Sequence, residues 1–110
     1  MIHGIQASLI FATAGRRDNV LAFLQAQIAG RNRWGVEKLN VDEAPWHPPN
    51  GLVLEVRFVT QQDADNTWNE LTTLSGQRNP EPGSVAVRHS CDHDAHAPAA
   101  CTILDTFTWT

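Results

Sequence analysis

The stretch LVLEVRFV, residues 52–59, decides the fold class because its apolar side chains recur at every second position. Successive side chains of a β-strand point to opposite faces, so a period of two indicates a strand with one buried face. One face carries Leu52, Leu54, Val56 and Phe58, and the other carries Val53, Glu55, Arg57 and Val59. We therefore predict a strand over 52–59 whose even-numbered residues enter the core.

A helix follows this strand. Thr60 and Asp63 have the spacing of a capping box, in which the hydroxyl at the start of a helix accepts a backbone N–H three residues later. One side of the predicted helix carries Ala64, Trp68, Leu71 and Leu74. This spacing is that of a helix with one apolar face, and Gly76 is predicted to close it.

The N-terminal part predicts a strand and a helix of its own. Residues 2–12 alternate in polarity, and residues 18–29 carry an apolar stripe with helical spacing. Asp18 or Asn19 can cap the start of this helix, and Gly30 can end it in the left-handed conformation.

Between the two halves, residues 33–41 predict a strand with weaker alternation. The segment 42–51 predicts a loop, because it contains three prolines and ends on Asn50-Gly51. Two further strands, 84–91 and 101–109, flank a tip of nine residues, 92–100.

This order of elements predicts a single α+β domain over residues 1–110. A helix follows the first strand and another follows the third, which indicates a split βαβ layout with both helices on one face of an antiparallel sheet. We predict a ferredoxin-like sandwich with an added C-terminal strand. The predicted core contains Leu9, Phe11, Leu24, Ile28, Leu54, Val56, Phe58, Trp68 and Leu71.

Composition excludes several classes of protein. The net charge is −4, and Lys38 is the only lysine, which argues against a general nucleic-acid surface. No apolar run approaches the ~20 residues of a membrane helix. No Lys or Arg precedes the apolar start MIHGIQASLIFATAG, so we expect no signal peptide and synthesis in the cytoplasm.

The stretch HSCDHDAHAPAAC, residues 89–101, contains both cysteines and three of the five histidines. If Cys91 opposes Cys101 in a hairpin, their side chains lie on one face within reach of a disulfide. Reduced thiols are a second reading. A zinc site from Cys91, His93, His96 and Cys101 is a third, although its spacing is not a common zinc pattern. We expect no cofactor and no obligatory metal.

His89 is the remaining histidine of this stretch. It alternates with apolar residues, as packed and hydrogen-bonded histidines do. Strand parity places Asp105 on one face with Cys101, Ile103, Phe107 and Trp109. A small dimeric enzyme or ligand-binding protein with a pocket near His89 and Asp105 is therefore one functional hypothesis.

Several features favour association instead. The polar side of the first helix carries Ala22, Ala26 and Ala29 where charged residues are usual. The last strand carries Thr106 and Thr108 and can pair with a neighbouring chain. The proline loop can present Trp46 and His47 as a recognition tip, or be an ordinary exposed loop.

These features predict a non-enzymatic structural module that acts through oligomerisation or through packing against other assembly proteins. The whole layout, a small Lys-poor α+β chain, resembles small structural proteins of bacteriophage particles, of the tail or neck type. The resemblance rests on no motif and transfers no residue roles. It implies incorporation into a virion.

Overall fold

Two α-helices and five strands make up the described residues of a computed structural model, which are 2–33, 38–42, 50–91 and 101–110. In chain order they are β1 (Ile2–Ile10), α1 (Ala14–Ala29), β2 (Lys38–Asp42), β3 (Gly51–Phe58), α2 (Gln61–Thr72), β4 (Val85–Cys91) and β5 (Thr102–Thr108), with a 3₁₀ turn at Gly76–Arg78 before β4. The prediction of an α+β chain with two helices is confirmed.

The strands form one antiparallel sheet in the order β2-β3-β1-β4-β5. Each neighbouring pair is antiparallel, so β1 runs parallel to β2 with β3 between them. By the same argument β3 runs parallel to β4 with β1 between them. Each helix therefore connects two parallel strands across a third, and β5 follows β4 as a hairpin at the edge of the sheet.

The core lies between the helices and one face of the sheet. Register pairs Ala7 with Leu54 on one side and with Ala86 on the other, which puts the odd-numbered residues of β1 on the helix face. All nine predicted core residues are buried in this cluster, together with Val20, Ala64 and Trp109. The alternation of residues 52–59 thus predicted the buried face correctly.

Helix α1 begins four residues earlier than the sequence indicates. Its N-cap is Thr13, whose hydroxyl oxygen accepts the N–H of Arg16 at 3.1 Å, and neither Asp18 nor Asn19 caps it. The apolar stripe starts only at Val20, so periodicity alone hides the first turn. Gly30 does end the helix, but with φ −86° and without the predicted left-handed conformation.

Helix α2 has the predicted capping residue. The Thr60 hydroxyl oxygen accepts the N–H of Asp63 at 3.3 Å and its proton goes to the Asp63 carboxylate at 2.9 Å. The helix ends at Thr72, before Gly76, because Thr73 is its C-cap. Gly76 instead opens the 3₁₀ turn with φ +62°, a conformation that favours glycine.

The hairpin of β2 and β3 is tighter than predicted. Asp42 and Gly51 are the two ends of the predicted loop 42–51, but they pair with each other in the sheet. Asn50 supplies the turn with φ 60° before β3, as asparagine can. Arg33 forms an isolated bridge to Phe58 ahead of β2, so part of the predicted strand 33–41 lies in the described sheet and 34–37 lie outside the described residues.

Candidate association surface

Strand β5 forms one edge of the sheet. Only β4 pairs with it among the described strands, and the helices make their main strand contacts with β1, β2 and β3. Five successive residues, Thr102 to Thr106, are exposed. Ile103 is 65% exposed and Leu104 53% exposed, whereas folded proteins usually keep such large apolar side chains scattered.

Backbone hydrogen bonds at the end of β5 fix the direction of its peptide groups. The Trp109 N–H donates to the Ser84 carbonyl at 3.0 Å, and the Trp109 carbonyl accepts from the Gly83 N–H at 3.0 Å. Both polar groups of Trp109 therefore point toward β4. Peptide groups of successive strand residues point to opposite sides. Since the register is unbroken over the second half of β5, the N–H and C=O groups of Thr106 and Thr108 point away from the sheet.

One of these outward groups already has a partner. The Thr106 N–H donates to the Asp105 carboxylate at 2.8 Å. This is a local side-chain bond of the kind that competes with pairing in a sheet. Asp105 thus covers the donor at the middle of the free edge.

A register shift interrupts the pairing of β4 and β5 between Arg88 and His89. Arg88 pairs with Asp105 and His89 with Ile103, so Leu104 is the extra residue of a bulge in β5. Ile103 therefore faces the open side of the sheet, away from the helices, and does not share a face with Phe107 as strict parity predicts. The exposure of Ile103 and Leu104 was not predicted, because nothing in the sequence indicates the bulge.

The register of β4 and β5 also decides where His89 and Asp105 lie, the two residues predicted to flank a pocket. His89 pairs with Gly4 on the open face and is 5% exposed, whereas Asp105 opposes Arg88 on the helix face. The structure does not bring His89 and Asp105 together. The imidazole lies over Gly4 so closely that a Cβ added there would meet its Cε1 at 2.1 Å.

The open face also carries a shallow groove of about 300 Å³ across the central strands. Gln6 and Ser8 of β1 lie between Val53 of β3 and the pair Val85 and Val87 of β4. The short side chain of Ser8 and the larger flanking valines give the groove its shape. Its lining is mostly apolar, and Glu55 is the one ionisable residue among the described residues that line it.

The predicted alanine face of α1 is present. Ala22, Ala26 and Ala29 are exposed, as is Gln25 among them. Leu24 and Ile28 occupy the opposite, buried side of the helix. This face and the β5 edge are separate surfaces. The main strand contacts of α1 are with β2 and β3, which lie at the edge of the sheet opposite β5.

Other predicted residues lie outside the described part of the chain. These are Trp46, His47, His93 and His96, together with the side chain of Cys91. Cys101 lies within the described residues. Among the described residues, no group of three or more His, Cys, Asp or Glu could hold a metal ion.

Two polar clusters on the helix side were not predicted. Arg88 forms an ion pair with Asp65 of α2, and its guanidinium lies 6.0 Å from the ring centroid of Trp68. His3 lies near this pair, and burial lowers its pKa, with the charge of Arg88 acting in the same direction and that of Asp65 opposing it. The neutral imidazole is therefore the favoured form at this position.

The second cluster joins the two helices. Arg31, just beyond α1, donates to both carboxylate oxygens of Glu70 in α2, at 2.6 and 2.9 Å. It also donates to the hydroxyl of the fully buried Thr67 at 2.7 Å. Both partners are 36 to 39 residues away from Arg31 in sequence, so no local pattern could have indicated the contact.

No helix in the described ranges is long and apolar enough to cross a membrane. Comparison with known proteins finds no significant match to this chain among family models, curated proteins or solved structures.

Proposed function

We propose that this protein is a non-enzymatic structural module that assembles through its β5 edge. The observation that carries the proposal is the exposure of Ile103 and Leu104 on an edge strand whose outward peptide groups at Thr106 and Thr108 are not covered by either described helix. An added strand would satisfy those groups and bury the two apolar side chains at once.

Apolar burial and new backbone hydrogen bonds would both favour association. Burying an exposed Ile or Leu side chain contributes about 1.5–3 kcal/mol, and each new backbone hydrogen bond contributes about 1 kcal/mol. These terms must exceed the cost of immobilising two molecules, which is about 4–15 kcal/mol. An edge of seven residues therefore supports a reversible complex at high local concentration, as within an assembling particle.

The test is the native mass in solution. We expect the wild-type chain to exceed its 12.2 kDa monomer mass in light scattering at high concentration and to return toward it on dilution. Thr106→Pro should give a monomer with an unchanged circular dichroism spectrum. Proline removes an outward N–H that makes no bond to β4, and proline is tolerated on edge strands.

Ala26→Arg is the matched variant on the other surface. It places a charge on the exposed face of α1 and leaves β5 unaltered. If Ala26→Arg yields the monomer and Thr106→Pro does not, the alanine face carries the assembly and the β5 proposal is wrong. A wild-type chain that stays at 12.2 kDa at every concentration would contradict self-assembly altogether.

We also propose that the architecture is ferredoxin-like with β5 added. The support is the spatial order of the first four strands, β2-β3-β1-β4, with each helix connecting parallel strands across a third. The five-stranded order departs from the four-stranded arrangement by the addition of β5 beside β4. That addition moves the free edge from β4 to β5, which is what makes β5 available for association.

The proposed setting is a particle. The resemblance to small proteins of phage tails or necks supports incorporation of the chain into a virion, where many copies meet at high local concentration. The β5 edge offers only a small apolar surface to a partner. Such a surface suits a particle, where local concentration is high, better than an obligate dimer, whose interfaces are larger and more apolar.

We propose, further, that Cys91 and Cys101 form a disulfide at the end of the β4–β5 hairpin. The support is the register of the hairpin: Ser90 pairs with Thr102, and the same register continued by one position would bring Cys91 opposite Cys101. Residues directly opposite in an antiparallel pair have Cβ atoms about 4.5–5.5 Å apart, within a small adjustment of disulfide geometry.

Thiol counting tests the disulfide. We expect no titratable thiol in denaturant before reduction and two after it, with no zinc in protein purified without chelator. Cys91→Ser should lower the free energy of unfolding by about 2–3 kcal/mol, the value for a short closed loop. Two thiols before reduction would contradict the disulfide. One zinc per chain that is lost in Cys91→Ser would establish a metal site in its place.

A further inference from the structure

We infer that the partner at the β5 edge is a second copy of this chain, paired antiparallel about a two-fold axis at Thr106, and that Asp105 acts as a latch on that pairing. The inference rests on the proposed function and specifies its partner, its register and its control. It would join two five-stranded sheets edge to edge.

The axis follows from the direction of the peptide groups and from charge. With the axis at Thr106, the outward N–H and C=O of each Thr106 bond to those of the other copy, and the two threonine side chains meet on the open face. Leu104 then lies opposite Thr108, and Asp105 lies opposite Phe107. No pair of like charges is created, so the edge is complementary to itself.

Neighbouring registers are less favourable. An axis at Asp105 would place two carboxylates directly opposite each other, which is destabilising in a sheet. An axis at Phe107 would pair Leu104 with position 110, beyond the end of β5 at Thr108. It would therefore leave much of the exposed apolar surface uncovered. A two-fold axis at Thr106 is the one of these three that pairs Leu104 with a residue of β5 and keeps the two Asp105 carboxylates apart.

Asp105 opposes this pairing in the single chain. Its carboxylate accepts the Thr106 N–H at 2.8 Å, the donor that the second copy needs. Two such bonds must be given up when the two edges pair. Charged residues on edge strands are a known means of preventing uncontrolled pairing. The carboxylate therefore weakens the association without abolishing it, and a change at Asp105 should strengthen it.

Site-specific cross-linking tests the register. Thr106→Cys should give a disulfide-linked dimer at twice 12.2 kDa under mild oxidation, because Cα atoms in a hydrogen-bonded antiparallel pair lie about 5.5 Å apart. Thr108→Cys is the matched control on the same face of the same strand. Its counterpart in the second copy lies four positions along, about 13 Å away, and should not cross-link. The wild-type chain, oxidised in the same way, shows how much dimer arises from cross-linking through the native Cys91 and Cys101.

Asp105→Ala tests the latch. Without the competing carboxylates, the dissociation constant from light scattering should fall roughly tenfold, the value of about two modest hydrogen bonds released per dimer. Asp105→Glu, whose longer side chain keeps the charge, should stay closer to wild type. Weaker association of Asp105→Ala would overturn the latch, since it would make Asp105 part of the contact.

The outcomes separate this inference from the proposed function. If the native mass shows an oligomer but Thr106→Cys cross-links no better than Thr108→Cys, the chain assembles through another register or surface and the inference fails alone. If the wild-type chain and Asp105→Ala are both monomeric at all concentrations, the proposed self-assembly fails with it.

Discussion

Leu54→Ala is expected to lower the free energy of unfolding by about 2–5 kcal/mol, the largest loss we expect from a single side chain here. Leu54 is 1% exposed on the helix face of β3, with Ala7 and Leu39 opposite it on the neighbouring strands. Removal of its isobutyl group loses the transfer free energy and leaves a cavity that the rigid sheet cannot close. Urea unfolding followed by circular dichroism measures the loss.

Leu104→Ala is the matched control, because the same atoms are removed from a side chain that is 53% exposed. We expect a change within about 0.5 kcal/mol when the protein is dilute enough to be monomeric. Similar losses at the two positions would show that the register of β3 or the exposure of β5 is wrong.

Glu70→Ala is expected to lower the free energy of unfolding by about 1.5–3 kcal/mol. The carboxylate receives two hydrogen bonds from the Arg31 guanidinium, whose side chain is only 12% exposed. Its removal leaves a mostly buried charge with the Thr67 hydroxyl as its remaining neighbour in this cluster. It also removes a contact that joins the end of α1 to α2.

Asp18→Ala provides the comparison, since it deletes a carboxylate from the ion pair with Arg17 on the surface of α1. Asp18 is 59% exposed, so its 3.0 Å contact is screened by water and its loss should cost less than about 1 kcal/mol. A double variant, Arg31→Met with Glu70→Ala, should cost less than the sum of its two single changes, because both act on one contact. Additive losses would show that Arg31 and Glu70 act independently.

The local part of the fold was readable from the sequence. Alternation over residues 52–59 gave the buried face of β3, and Thr60 with Asp63 gave the start of α2, because both signals depend on residues a few positions apart. The start of α1 was not predicted, because periodicity detects a helix only where apolar residues recur. Its first turn carries Arg16 and Arg17 and no apolar residue that periodicity could detect.

The exposed surfaces of α1 and β5 were predictable only in part. Exposed alanines on α1 and threonines on β5 followed from composition and parity. The bulge at Leu104, the outward direction of the Thr106 peptide groups and the hydrogen bond from Thr106 to Asp105 did not, because they depend on how β5 aligns with β4. A shift of one residue in that alignment exchanges the faces of every side chain beyond it.

The sequence by itself therefore determined the α+β class and the buried faces of β1, β3 and the two helices, since these follow from the spacing of apolar residues along one segment. Tertiary structure alone decided which strands are neighbours, which of the described strands lies at each edge and which charges meet. It placed Arg31 on Glu70, and it separated His89 from Asp105 onto opposite faces of the sheet. Such contacts join residues far apart in the chain, and only the packing of the helices and the register of the sheet bring them together or hold them apart.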